Sequence, residues 1–539
     1  MTIYCPNKGE INMHIVIIGE SINAVTAAAH LRRESEKNRI TIINPSTEIG
    51  PALCGIPSFL QGLIPDINDL IVASPRLLYK VFNVNLLMPA TISKINPELH
   101  TIHLSNGKKM LYDKIIFAFA KQHSRPAIKG ILSDNIFTLH NTAAAKLVNE
   151  YFWGHQAKHI IILGGTGLAV QTASAFAANH AKVTIIEQSP HLLNYIDNEF
   201  ALLVQKKLQE QSVRILTSAS VKEFYPHYAT LSDGSRINYD MAVIATETSS
   251  DFELLRQTGI KLGINGGIVV NQYLQTNLSD IYACGETIEI TNSVSGSPLS
   301  VRNAALAAQT AKIAAENVLG NINHLPMIFN NELIPIFDNY LGICGSTEQE
   351  LQAAELPYHA VWLNTQVNEN YTYPASNIKM KLLFSPEGKI LGLQMFGTQG
   401  IFSRQNIIAA LMQKNGKITD LTNMYLSYTP TLARTKDCLN IIASLAVSVQ
   451  SGDLKTINLN NLQKGDILLN FASPLSLTNH SFTVLNIPFT QLRTQLHSLP
   501  KNQIIAVYCP NGYSAYLGYC LLRNHGFNNV FLLNSTLGW

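Results

Sequence analysis

Two stretches of this chain repeat one pattern of apolar and polar positions. His14–Ile18 is a run of mostly β-branched residues that ends at Gly19, the pattern of a buried parallel strand. The Ala-rich GESINAVTAAAHLRR follows as a helix, and Arg39–Ile43 as a second strand. About 145 residues later the pattern returns, with HIIILGG as strand and turn, TGLAVQTASAFAANH as helix and AKVTIIE as strand. Two βαβ units predict two nucleotide-binding-type domains rather than one long sheet. Met13, at the head of the first strand, reads as a plausible true start.

Further along, IYACGE (281–286) is strand-like, and after a Ser/Gly-rich loop RNAALAAQTAKIAAENVLG has a helical pattern. Residues 326–450 alternate short strands (KMKLLF, KILGLQMFG) with helices (RQNIIAALMQK). The polar, Asn-rich 451–465 reads as a linker. Beyond it, strand 504–509, helix 514–524 and strand 529–533 predict a small α/β piece.

Composition narrows the class. At 539 residues the length suits three to five domains. Hydrophobic residues, at 46%, are ample for large cores. With 39 Lys+Arg against 36 Asp+Glu, the charge of +3 is too small to imply a nucleic-acid partner by itself. Apolar runs such as Ile160–Leu163 and Ile441–Val449 fall short of the ~18 residues of a membrane span. The N-terminus lacks the apolar core of a secretory signal. Cysteines are seven (Cys5, Cys54, Cys284, Cys344, Cys438, Cys509, Cys520), with no CxxC. That pattern suits a reducing compartment with one or two reactive thiols. The histidines are scattered without metal spacing, and no metal is expected.

A dinucleotide fingerprint needs a Gly for the tight turn, a bare second position, a small third one, and an acid after the second strand. In the first unit the three positions are Gly19, Ser21 and Ala24, and the acid position is Asn44. An ordinary βαβ turn is an open alternative there. In the second unit they are Gly164, Thr166 and Ala169, with Gly165 between, and the acid is Glu187, 23 residues after Gly164. A carboxylate there accepts from ribose hydroxyls and repels a 2′-phosphate, so NADH is favoured over NADPH. The alternative is a Glu that only ends a strand.

The order of these pieces carries a resemblance: a Gly-rich turn, the lone Cys of IGPALCGIPSFLQG, a second Gly-rich turn, then IYACGE and an Ala-rich helix. It resembles the pyridine nucleotide-disulfide oxidoreductases, of the single-cysteine type that reduces coenzyme A disulfide or persulfide. The C-terminal piece resembles a rhodanese domain. The resemblance implies an α/β fold with two Rossmann-like three-layer domains, an α+β dimerisation domain and a rhodanese-like α/β domain. The expected boundaries are 13–127 and 248–325 for the FAD-binding domain, 128–247 for the NAD-binding domain, 326–450 for dimerisation and 453–539 for the rhodanese-like domain. It implies FAD and NADH as cofactors, coenzyme A as part of the substrate, a homodimer, and a cytoplasmic setting without membrane or nucleic acid.

Residue by residue, Cys54 matches the family's redox cysteine, and Gly285–Glu286 its second flavin motif, where Asp is usual. Glu187 matches the NADH-ribose acid. Tyr373 in ENYTYPAS and Tyr428 in LSYTPTLARTKDCLN match tyrosines that reach the partner subunit's active site. Arg33 matches a residue that contacts coenzyme A phosphate. The chain departs from the pattern at Asn44, at Ala118–Phe119–Ala120 for Ala-Thr-Gly, and at ATETSS (245–250). Phe59 stands where two-cysteine relatives carry the second Cys. Ile22 stands where peroxidase members carry His, which argues against peroxide reduction. Cys509 opens the loop CPNGYSAY, as a persulfide-bearing cysteine does, but Ser514 replaces the usual Arg. Cys520 is expected in the core. The rival readings are an NADH oxidase using a Cys54 sulfenate and a weakened flavoprotein fold serving in binding or sulfur relay.

Overall fold

The computed structural model describes residues 12–120, 125–246, 253–372, 376–473, 481–510 and 512–534. The chain forms two compact units: residues up to 194 with 208–328, and residues 195–207 with 329 onward.

The first unit holds both predicted βαβ motifs. Its elements begin with β1 (His14–Ile18), α1 (Ile22–Glu34), β2 (Arg39–Ile43), α2 (Ile56–Gln61), β3 (Asn85–Leu87) and β4 (Lys114–Phe117). They continue with β5 (Ile136–Thr138), α3 (Thr142–Gly154), β6 (His159–Leu163), α4 (Gly167–Ala178), β7 (Lys182–Ile186), β8 (Arg214–Leu216) and β9 (Met241–Ile244). β10 (Ile281–Ala283) and α5 (Ala304–Val318) follow. One sheet has the order β10-β4-β1-β2-β3 and the other β8-β7-β6-β9-β5. Every pairing in both is parallel. Parallel strands covered on both faces need continuous apolar runs, which the sequences of β1 and β6 supply. Ala24, Ala27 and Ala28 of α1 and Ala307, Ala311 and Ala314 of α5 are buried in one core, and the two helices pack together. Small side chains allow that close approach.

In the second unit, strands β11 (Asn331–Ile336), β12 (Asn339–Gly345), β13 (His359–Gln366), β14 (Asn377–Phe384) and β15 (Ile390–Gly397) form an antiparallel sheet, ordered β11-β12-β15-β14-β13. Helices α6 (Ile401–Gln413) and α7 (Cys438–Gln450) pack on it. Lys381 of β14 is fully buried and bonded to Asp197 (2.7 Å), Glu199 and Glu348. Burial alone would lower its pKa; the three carboxylates raise it instead. A parallel sheet then closes the chain: β16 (Thr456–Asn458), β17 (Ile467–Asn470), β18 (Thr483–Asn486), β19 (Ile505–Tyr508) and β20 (Val530–Asn534), in the order β16-β20-β19-β17-β18, with α8 (Tyr513–Asn524).

The stretch 451–465 is not a free linker, because it carries β16, which pairs with β20. Leu454 and Leu462 are buried within it, and these two apolar anchors outweigh its Asn-rich composition. The Ser/Gly-rich loop after Gly285 is a loop at 292–297, where it turns a hairpin of Ile288–Thr291 with Pro298–Ser300. Among the described residues, no helix is long and apolar enough to cross a membrane.

Candidate functional site

The two glycine turns are built by one device. Gly19 has φ +144°, and a Cβ there would lie 2.2 Å from Ala118 O. Gly164 has φ +112°, and its Cβ would lie 2.8 Å from Ala245 O. In both turns the chain runs so close to the next strand's end that only glycine fits. The second position is a hydroxyl residue in each. Ser21 Oγ donates to Ala118 O (2.6 Å) and accepts from Asn23 N–H (3.2 Å). Thr166 Oγ1 donates to Ala245 O (2.8 Å) and accepts from Ala169 N–H (3.2 Å). Each caps its helix and ties it to the neighbouring strand. Ala24 and Ala169, the third positions, are fully buried.

The acid positions differ. Asn44 is wholly buried, and both ends of its amide are engaged: Nδ2 donates to Glu48 O (2.7 Å) and Oδ1 accepts from Ser46 N–H (2.7 Å). Glu187 is partly exposed, beside Gly165, where a Cβ would meet its carboxylate at 2.9 Å. Its Oε1 accepts from Ser189 N–H at 2.7 Å. The second turn therefore presents a helix N-terminus, a close-approach glycine and a carboxylate together. These residues fit a nicotinamide dinucleotide.

The first turn fits a flavin dinucleotide at its pyrophosphate end. Gly285, at φ +78°, approaches so near α1 that a Cβ would sit 2.5 Å from Asn23 Nδ2. Gly285 N–H is held by Thr310 Oγ1 (2.9 Å). Asn23 Oδ1 is buried with no hydrogen-bond partner, an acceptor left over at this junction. Glu286 follows in the short turn Gly285–Thr287.

Cys54 sits in the turn Leu53–Gly55, directly ahead of α2, and is exposed. Gly50 N–H donates to Glu20 O (2.9 Å), which ties this loop to the first glycine turn. Ala52 N–H donates to Leu70 O (2.7 Å). A Cβ on Gly55 would fall 2.4 Å from a methyl of Leu70, so the loop packs closely against that side chain. Phe59 is buried, so the position of a second cysteine is a core residue. Asn179, just past α4, donates to Leu60 O (2.9 Å), so α2 is fastened to the second βαβ unit as well. The thiol thus rides on an element anchored to both nucleotide-type motifs.

Other thiols separate by environment. Burial pushes Cys284 up to about 12 and Cys438 up to about 11, and it raises Cys344 too, so none is thiolate at neutral pH. Cys509, just past β19, is half-buried. Its loop is braced by the neighbouring sheet, where Asn364 Nδ2 donates to Pro510 O (2.7 Å). Cys520 of α8 is half-buried rather than in the core. Tyr373 lies outside the described residues. Tyr428 is exposed, and its hydroxyl lies 3.2 Å from that of Tyr371. That hydrogen bond pushes Tyr371 up to about 12. Tyr371 stands two residues before Tyr373 in the same motif, the one sequence signal that points to it. Arg33 is exposed in the last turn of α1, with Nη2 3.1 Å from His30 Nδ1.

The sequence profile described as pyridine nucleotide-disulphide oxidoreductase matches residues 13–309, and that of its dimerisation domain matches 335–437. An NADH oxidase of Methanocaldococcus jannaschii is 23% identical over 443 residues, covering 81% of this chain and 99% of the relative. A coenzyme A disulfide reductase of Staphylococcus haemolyticus is 23% identical over 435 residues, covering 79% of this chain and 98% of the relative. The crystal structure of reduced Bacillus anthracis CoADR-RHD superposes with a TM-score of 0.92 at 25% identity. It covers 98% of this chain and 97% of that one, so the C-terminal parallel sheet falls within the likeness.

Proposed function

This chain belongs to the pyridine nucleotide-disulphide oxidoreductase family, and we propose that it reduces coenzyme A disulfide or coenzyme A persulfide through Cys54, with NADH as electron source. The family uses FAD and NAD(P)H. The observation that carries the reading is Cys54: one exposed thiol, on a loop tied to the first glycine turn, with buried Phe59 where a second cysteine would stand.

The chemistry follows from having one sulfur. The Cys54 thiolate attacks one sulfur of the substrate disulfide; a Cys54–coenzyme A disulfide forms and one coenzyme A thiolate leaves. No other cysteine lies between residues 6 and 283, so two electrons must come from a cofactor. FAD held at the first glycine turn would supply that electron pair from NADH, and Cys54 and the second coenzyme A would return as thiolates. The net change is one NADH and one proton consumed per disulfide, giving two thiols. Gly19, Ser21, Ala24, Gly285 and Glu286 would hold the flavin; Gly164, Gly165, Ala169 and Glu187 would hold the nicotinamide nucleotide. Arg33 would meet a coenzyme A phosphate. Tyr428, with Tyr371 beside it and Tyr373 near in sequence, would serve a partner subunit in a cytoplasmic homodimer. Cys509 would carry sulfane sulfur as a persulfide.

The test is anaerobic turnover of coenzyme A disulfide with NADH by the yellow holoprotein. Cys54→Ser should abolish it while leaving flavin content intact; undiminished turnover removes Cys54 from the mechanism. The likeness to an NADH oxidase gives the competing outcome: NADH-driven oxygen consumption with no response to coenzyme A disulfide.

A further inference from the structure

A flavin bound at the first glycine turn would bring its adenosine ribose to the carboxyl ends of the strands, where this fold places such diols. The acid expected at the end of β2 is Asn44, and its amide is fully engaged within its own loop. Across the segments that border this position (19–24, 44–52 and 118–120), only Glu20 and Glu48 are acids. Glu48 is drawn away, its Oε2 accepting from the Thr142 hydroxyl of α3.

Glu20 is placed differently. The preceding Gly19 N–H donates to Ile43 O (3.0 Å), and Glu20 O accepts from Gly50 N–H (2.9 Å). Its backbone is thus pinned against the end of β2 and the loop that follows. Its side chain reaches across to the end of β4, where Oε1 accepts from Ala120 N–H at a long 3.3 Å. The residue is partly exposed, and burial raises its pKa. Glu20 thus meets the end of β2 through its backbone and the end of β4 through its carboxylate, which offers more lone pairs than the Ala120 N–H uses.

We propose that Glu20 supplies the carboxylate that meets the adenosine ribose diol of FAD, so that the acid has moved from the second strand into the glycine turn. The inference rests on the flavoprotein reading above. The experiment strips flavin from the purified protein and titrates it back, following quenching of flavin fluorescence. FMN, which lacks the adenosine, is titrated in parallel. Glu20→Gln should weaken FAD by ~10- to 100-fold, the loss of a charge-assisted pair of hydrogen bonds. It should leave FMN unchanged, and Glu48→Gln should leave both unchanged. Glu20→Ala should behave as Glu20→Gln does, and thermal melts of the flavin-free variants check folding. FAD binding by Glu20→Gln that is as tight as wild type, or tighter, overturns the inference, the latter showing repulsion from the pyrophosphate. A loss confined to Glu48→Gln overturns it also. A wild-type chain that takes up no FAD overturns both this inference and the function it rests on.

Discussion

At the end of β2 stands Asn44, wholly buried, with its amide bonded at both ends to residues 46 and 48. At the matching end of β7 stands Glu187, partly exposed, with one carboxylate oxygen on Ser189 N–H. Apart from Glu20, which stands where the second unit has Gly165, the two turns are alike up to that point. Each has a glycine pressed on the next strand's end and a hydroxyl that caps the helix and binds the same strand. The shared part is what the backbone crossing demands of any βαβ turn. The differing part is what faces a ligand. A glycine turn therefore speaks for the scaffold, and the acid speaks for the nucleotide.

Alanine at the glycines should have the largest effect. At Gly19 the new Cβ would lie 2.2 Å from a backbone oxygen; at Gly164 the nearest atom is at 2.8 Å. Backbone at positive φ adds strain in both cases. Gly19→Ala should cost about 4 kcal/mol and Gly164→Ala about 2 kcal/mol, read from denaturant unfolding. Equal costs would break the claim that the first crossing is the tighter. Next, Glu187→Gln removes a charged acceptor that NADH would use. The KM for NADH should rise about tenfold or more, and preference over NADPH should narrow, with flavin content unchanged. An unchanged KM would reduce Glu187 to a strand-end cap.

The scaffold was legible because its signals are local. β1, β6 and their helices follow from apolar runs and alanine spacing, and Gly19 and Gly164 stand where the turns require them. Cys54 stood out through the resemblance carried by IGPALCGIPSFLQG, and Phe59 occupies the place of a second thiol. What stayed hidden depends on long-range partners. Nothing in the letter Asn at 44 tells that its amide is engaged in its own loop. Nothing in GES marks Glu20 as reaching Ala120, 100 residues away. The Tyr371–Tyr428 pair joins residues 57 apart. The linker reading of 451–465 failed because composition was weighed above two buried leucines.

Restoring the family's acid at the first unit should not restore a ribose site. Asn44→Asp keeps the acceptor for Ser46 N–H but cannot donate to Glu48 O, and it buries a charge against that carbonyl. The expected result is a loss of about 2 kcal/mol in folding stability with no gain in FAD affinity. Tighter FAD binding by Asn44→Asp would mean that the loop can release residue 44 toward a ligand.

The smallest effect tests the shared half of the comparison. Ser21→Ala and Thr166→Ala each remove a helix cap and the one hydroxyl that reaches the next strand. Each should cost about 1 kcal/mol, the ordinary value of an N-cap. The carbonyls left behind, Ala118 O and Ala245 O, belong to buried residues in both units, so the added penalty should be the same. The two variants should therefore agree within about 0.5 kcal/mol in chemical denaturation, without flavin or nucleotide present. A gap above 1 kcal/mol would show that one hydroxyl serves more than its cap. If the larger loss fell at Ser21, the first unit would differ from the second in its scaffold as well as its acid, and the division between backbone demand and ligand contact would have to be redrawn.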